Sequence, residues 1–390
     1  MQNTTWKIVF ALLATALLAS NFFSISKWSE RRGVYDDTCY LRQAHLFQRF
    51  GLQGFHTDIR FDDDGYFRQI QRDIGYALAE DPQKTLCHTA QPGGLRVIQY
   101  PPGTGLIMSA FPEGFQVIPL FGAAMLIVFG GVIFLISLAR TRSEIFAAGI
   151  FGLCALYLMV NPTKSSYSMA PTMALCAIIA ILTPFMFAAS SLWRRCILAA
   201  VIALMLGALV SLRIPNLLLV IGYAGALAFQ FVRHPSGHHF LQGLTFAVSY
   251  LIGLGPTLWA NYVNAGSILA TTYGPTDVVP ADFTFSIVGQ YLFDIQGALC
   301  ALAIAAACWI AAKTPAKMPT LVVGINLATN LLYFFSHPVY TQYYIMPVLT
   351  LSLWTLLAHY LVAPKLRVTD RDAARSAGTR RRDPAFALSG

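Results

Sequence analysis

Blocks of apolar residues about as long as a bilayer is thick alternate along this chain with short polar breaks. A hydrocarbon core of about 30 Å is crossed by roughly 20 helical residues. Windows of that kind predict helices near 7–25, 115–138, 145–160, 169–193, 196–212, 215–232, 240–260, 296–312, 318–335 and 343–363, about ten spans in all. The tight pair at 196–232, broken by Arg213-Ile214-Pro215-Asn216, is also compatible with a re-entrant hairpin. The first block ends in Asn21-Phe22-Phe23, not in the small residues that a signal peptidase needs, so it is expected to stay as a helix.

Two long polar segments interrupt the series, 26–114 and 261–295. In the first, Ser29 to Asp37 reads as a polar turn with an Asp placed to cap a helix. From Thr38 to Phe50, polar Thr38, Arg42, His45 and Arg49 occupy one face and Leu41, Ala44, Phe47 and Phe50 another, which predicts an amphipathic helix lying on the membrane surface. Residues 51–99 read as a small extramembrane segment with a helix near 66–79 and a turn at Gln91-Pro92-Gly93-Gly94. The prolines of Tyr100-Pro101-Pro102-Gly103 remove backbone donors and mark an irregular return toward the membrane. The fold expected is thus an all-α polytopic membrane domain over 1–363, followed by a basic, disordered tail at 364–390.

Composition removes the soluble alternative. The chain is 56% hydrophobic and 12% charged, with a mean hydropathy of +0.57, whereas soluble domains carry roughly 25% charged residues. The cations then set the orientation, because short loops rich in Lys and Arg stay cytoplasmic. Arg140/Arg142, Arg194/Arg195, Arg233, Lys313/Lys317 and the tail from Lys365 through Arg380-Arg381-Arg382 share one side if both termini are cytoplasmic, as in a bacterial inner membrane. The other side then receives 14 of the 18 acidic residues, so the chemistry is expected outside. The net charge of +9 is spread over membrane-flanking loops, which fits membrane lipid and not nucleic acid.

Among the seven cysteines, Cys154, Cys176, Cys196, Cys300 and Cys308 fall in predicted spans and read as packing residues. Cys39 and Cys87 both fall in the external segment, where they are either a disulfide or two buried thiols. Asp62-Asp63-Asp64-Gly65 lacks the ligand spacing of a calcium loop and reads as a solvated turn. His234, His238 and His239 belong to a cytoplasmic loop without a metal-site pattern.

Asp36 and Asp37 carry the strongest candidate chemistry. A carboxylate at a helix start just above a membrane can take a proton from an acceptor hydroxyl, and two adjacent carboxyls raise each other's proton affinity. The competing role is helix capping. Gly33-Val34-Tyr35-Asp36-Asp37-Thr38-Cys39-Tyr40 and the amphipathic stretch after it resemble the start of membrane glycosyltransferases of the GT-C superfamily. These include protein mannosyltransferases and lipid A aminoarabinose transferases, which take sugars from polyprenyl phosphates. Tyr100-Pro101-Pro102 resembles their Pro-Pro motif, and Gly266 to Gly274 a Gly-Ser-Pro-x-x-Thr-Gly-Tyr-Gly loop of bacterial members.

The likeness implies that Asp36 is the catalytic base, Asp37 its acidic neighbour and Tyr40 the aromatic that follows. It also shows departures. Gln99-Tyr100 stands where some members have Glu-Lys, and the Arg that often precedes the last span is missing before Tyr344-Ile345-Met346-Pro347. Arg213, at the external end of a span, suits a lipid phosphate, the alternative being an interfacial snorkelling role. Lys164 in Asn161-Pro162-Thr163-Lys164 is a weaker candidate of the same kind, and His337 is either a phosphate donor or a helix cap.

The resemblance therefore implies a hexosyl- or pentosyltransferase that moves a sugar from a polyprenyl-phosphate donor to a lipid, glycan or protein acceptor. Substrate contacts are expected from Tyr40, Tyr100, Lys164, Arg213, His337 and Tyr344. No motif demands a cofactor, and a divalent cation stays open. Two other classes compete: a secondary transporter or lipid flippase, whose charges would lie near the bilayer midplane, and a surface-polysaccharide polymerase or ligase.

Overall fold

The computed structural model describes residues 2–77, 85–160, 166–273, 281–284, 317–337 and 345–362, with scattered helical positions between 286 and 312. Seven helices among them are long and apolar enough to cross a membrane. They are α1 (Gln2–Ile25), α5 (Val117–Leu138), α7 (Met169–Ala188), α8 (Leu192–Leu212), α9 (Leu219–Arg233, extended N-terminally by the turn from Ile214), α10 (Gly237–Ala265) and α11 (Met318–Ser336). The shorter α6 (Arg142–Leu158) and α12 (Met346–Val362) pack among them. The chain is a multi-pass, helical membrane protein. The span expected at 296–312 lies largely outside the described residues, and nine of the ten windows coincide with these helices.

Helices meet where small residues let backbones approach. On α8 and α10, Gly207 and Gly253 face each other so closely that a Cβ on Gly207 would stand 2.5 Å from the Tyr250 carbonyl. Gly131 of α5 gives its space to Trp354 of α12. The 196–232 segment is not a hairpin closed on itself: α8 runs along α10, and α9 along α11. Arg213 is extended (φ −156°, ψ 133°) and Pro215 starts a short turn, Ile214–Leu218, that separates the two. At one end of the bundle Asn3 and Lys7 of α1 donate to the Arg140 and Ser137 carbonyls at 2.7 and 2.9 Å. The polar cap covers the other end.

The cap is α2 (Tyr35–Phe50), α3 (Tyr66–Ile74), a hairpin of β1 (His88–Gln91) and β2 (Leu95–Ile98), and α4 (Gly103–Met108). The hairpin adds two antiparallel strands to an otherwise helical fold, turning at Pro92–Gly94 as the sequence leads one to expect. Helix α2 departs from expectation in two ways. It starts at Tyr35, so both aspartates lie in its first turn. It is also covered on almost every side instead of lying open on a membrane surface, because residues 51–61 and the hairpin fold over its polar face.

Arg42 makes that covering possible. Its guanidinium, fully buried, donates to Asp63 at 3.0 Å, to the carbonyls of Thr57 (2.9 Å) and Asp58 (3.0 Å), and to His88 Nε2 at 3.0 Å. His88 Nδ1 is 2.7 Å from the Leu86 carbonyl, which assigns the ring proton to Nδ1. Burial and the adjacent Arg42 push the His88 imidazole down to about 3, so it stays a neutral acceptor. Asp63 Oδ1 also caps the turn at Gly65 and Oδ2 the start of α3. The acidic run 62–64 is therefore a turn tied to Arg42 and Arg49. Next to this hub Cys39 and Cys87 form a disulfide that joins α2 to the base of the hairpin.

Replacing Arg42 by Met would leave Asp63 without its buried cation and take a donor from each of two buried carbonyls. Arg42→Met is expected to lower stability by about 3–5 kcal/mol, read as a large drop in the unfolding temperature of the detergent-purified protein, and an unchanged temperature would refute the hub.

Candidate functional site

The first turn of α2 concentrates charge at one end of the bundle. Its N-cap, Val34, has an apolar side chain, so the exposed helix-end donor is met from inside the helix. Asp37, three residues on, accepts from the Val34 N–H at 2.8 Å. The other Asp37 oxygen accepts from the Tyr167 N–H at 2.8 Å and the Ser166 hydroxyl at 3.0 Å, both from the segment before α7. Asp37 is completely buried. Burial pushes its carboxyl up to about 7 from 3.8, against the pull of these donors, and the neighbouring Asp36 charge adds a smaller push.

Asp36, one residue earlier and about 100° around the helix, faces a different set of groups. Tyr100 donates to its Oδ1 at 2.8 Å, and Arg213 Nη1 lies 3.3 Å from its Oδ2. Arg213 reaches this position from the extended C-cap of α8 and also donates to the Ser168 hydroxyl at 3.1 Å. Tyr100 is set by the two prolines that follow it and by Gln43, whose amide donates to the Tyr100 carbonyl at 3.0 Å. Gly105 of α4 lies against Gln43 and Tyr40 with no room for a Cβ, so α4 backs directly onto α2.

Three phenols gather here. The Tyr40 and Tyr100 rings are 5.5 Å apart and the Tyr100 and Tyr273 rings 6.2 Å. Tyr40 Oη, fully buried, has no hydrogen-bond partner among the described residues, and neither does Gln43 Oε1. Burial raises the Tyr40 and Tyr100 hydroxyls well above the usual phenol range, so both remain protonated donors. A narrow cleft beside them is lined by Gln43, Phe55, Tyr100, Pro102, Ile214 and Tyr273.

Of the residues singled out in the sequence, Asp36, Asp37, Tyr40, Tyr100 and Arg213 thus converge. Lys164 and Tyr344 lie outside the described residues. His337 follows the last turn of α11, stacks on Tyr333 at 4.2 Å and has its Nδ1 2.7 Å from the Tyr333 carbonyl, the helix-end arrangement. Ser166, Tyr167, Ser168 and Tyr273 were not singled out as site residues. A signal existed: the three residues before α7 are polar, and Tyr273 belongs to the Gly266–Gly274 loop, where Thr272 donates to the Gln99 carbonyl at 2.8 Å.

Among the described residues, metal ligation finds little to use. Cys39, Cys87 and His88 lie together, but the two sulfurs are bonded to each other and His88 is held by Arg42 and Leu86. At the acidic pair, both Asp37 oxygens accept from protein donors, and Asp36 faces a guanidinium. A divalent cation there would share Asp36 with the Arg213 guanidinium. What the arrangement offers is a carboxylate, a fixed cation and phenol donors at the junction of cap and bundle. Neither a protein-family model nor a curated protein matches this sequence.

The elevated Asp37 carboxyl links stability to pH. Its folded value, about 7, exceeds the unfolded 3.8, so the native state holds the proton more tightly. Stability contributed by this group is full below the unfolded value and declines as pH rises toward about 7. Asp37→Asn is expected to remove that decline from the variant, so that the difference between variant and wild-type stability changes across pH 4–8. It also loses about 1–3 kcal/mol, because an amide can accept on one side only. Parallel curves would refute the assignment.

Proposed function

We propose that the chain is a GT-C-like integral membrane glycosyltransferase. It moves a hexosyl or pentosyl group from a polyprenyl-phosphate donor to a lipid, glycan or protein acceptor at the external face of a bacterial inner membrane. In this reading ten helices span the bilayer, both termini are cytoplasmic and the cap is external. The observation that carries it is the contact of Asp36 with Arg213 and Tyr100 at the cap end of the bundle, at 3.3 and 2.8 Å. It lies beside the cap and not at mid-bundle, where transporter sites are found. The contacts of Tyr100 with Asp36 and of Tyr273 with Tyr100 also support it, since they bring together three of the motifs behind the GT-C resemblance.

The chemistry follows from charge balance. The acceptor hydroxyl attacks the anomeric carbon, its proton passes to Asp36, and the bond from that carbon to the donor phosphate oxygen breaks with its electron pair going to the phosphate. As Asp36 becomes neutral, Arg213 loses its counter-charge while the departing phosphate gains one. The guanidinium can therefore pass from carboxylate to phosphate with no net charge left uncompensated in a site that is largely shielded from water. Tyr100, already donating to Asp36 Oδ1, keeps the carboxyl oriented. A lipid-borne donor is consistent with the lack of any nucleotide-binding motif in the sequence.

Membranes or purified protein supplied with labelled polyprenyl-phosphate sugars should transfer label in the wild type. Asp36→Asn is expected to lose at least about 100-fold in rate without loss of fold, within the range that removal of a general base costs. Full activity in that variant would remove Asp36 as base, and no turnover of any lipid-linked sugar by wild type would favour a transporter. A Cys placed at Gly65 should label from the external side.

A further inference from the structure

Asp36 and Asp37 are neighbours in sequence, and a second path joins them through space. Asp37 Oδ1 accepts from Ser166 Oγ at 3.0 Å, the Ser166 and Ser168 hydroxyls are 3.1 Å apart, Arg213 Nη1 reaches Ser168 Oγ at 3.1 Å, and the same nitrogen is 3.3 Å from Asp36 Oδ2. Both serines and Asp37 are fully buried, so no bulk water competes.

The directions of these bonds depend on one another. A guanidinium only donates, so Ser168 Oγ accepts from Arg213. An ionised carboxylate only accepts, so the Ser166 O–H points at Asp37. One arrangement remains for the contact between the serines, with Ser168 donating and Ser166 accepting. Every bond then runs from Arg213 toward Asp37. A proton on Asp37 lifts the demand on Ser166, whose hydroxyl can turn toward Ser168 and compete with the guanidinium for its oxygen.

We propose that Asp37 is a positioning residue for Arg213, acting through the Ser166 and Ser168 hydroxyls to hold the guanidinium against Asp36. Its catalytic consequence rests on the transfer reaction proposed above; the positioning itself does not. Among the described residues, the charged and titratable groups around the chain of bonds are Asp36 and Tyr40 on α2, Glu30 and Arg32 on the turn before it, Tyr66 on α3, Tyr100 and Tyr273 beside Tyr40, Tyr167 beside Ser166, and Arg213. Asp37 is the member whose carboxyl burial pushes up to about 7. The link therefore operates above neutrality and is released below it.

Ser168→Ala tests this without touching the bonds of Asp37 to Val34, Ser166 and Tyr167. The readout is the rate at which phenylglyoxal modifies Arg213 in the full-length detergent-purified protein, followed by peptide mass spectrometry. At about pH 8 the variant is expected to react about fivefold faster than wild type, the shift that one lost hydrogen bond sustains, and Ser168→Thr, which keeps the hydroxyl, should react like wild type. Below about pH 6 the ratio should fall toward one, because protonated Asp37 releases Arg213 in the wild type as well. A ratio of one at both pH values overturns the proposal, and so does a ratio that stays high at low pH. In the transfer assay Ser168→Ala should lower kcat about tenfold with little change in KM. If wild type transfers no sugar, the function proposed above fails while the labelling result still decides the positioning.

Discussion

Helix α2 is rich in polar residues and yet buried on nearly every side, and the rest of the molecule is arranged around satisfying it. Ten of its 16 residues are buried, among them Asp37, Thr38, Arg42 and Gln43. Away from water each charged group costs several kcal/mol unless it is paired and hydrogen-bonded. The partners come from far along the chain: 57–63 and the hairpin for Arg42, 166–167 for Asp37, the end of α8 for Asp36. The same constraint that makes α2 expensive to bury thus ties the cap to the membrane bundle, and the Cys39–Cys87 disulfide lies on the same helix.

Helical geometry divides the labour between two adjacent carboxylates. Successive residues are turned by about 100°, so Asp37 faces the segment before α7 while Asp36 faces Tyr100 and Arg213. The first is held by three donors; the second stands beside a cation and a phenol, groups that suit proton transfer and anion binding. Their different surroundings, not their identity, set the two carboxyls apart.

The membrane helices contribute by bringing Arg213 to the cap. A guanidinium near hydrocarbon needs an anionic partner, and the extended residue between α8 and the Pro215 turn lets it leave its helix and meet Asp36. The close glycine crossing of α8 on α10 keeps the end of α8 in place, while Gly103 of α4 presses on the Ser211 carbonyl, where a Cβ would stand at 2.5 Å. Sequence positions 36, 100 and 213 meet in part because packing outside the site, at the crossings of α8 with α10 and with α4, brings their elements together.

The apolar blocks, the turn residues and the acidic pair at a helix start were legible in the sequence, because hydropathy over a window, the backbone preferences of Gly and Pro, and the chemistry of a carboxyl are local properties. They determined a multi-pass helical protein, the turn at 92–94 and an acidic pair at the start of a helix. An amphipathic pattern at 38–50 equally well describes a helix on a membrane surface, so its burial could not be read from periodicity. Nor could the pairing of Cys39 with Cys87, the contact of Tyr100 with Asp36, or the turning of Asp37 toward Ser166 and Tyr167. Those were decided by tertiary structure alone, since each depends on residues at least 48 positions apart being packed into a site where unpaired polar groups are not tolerated.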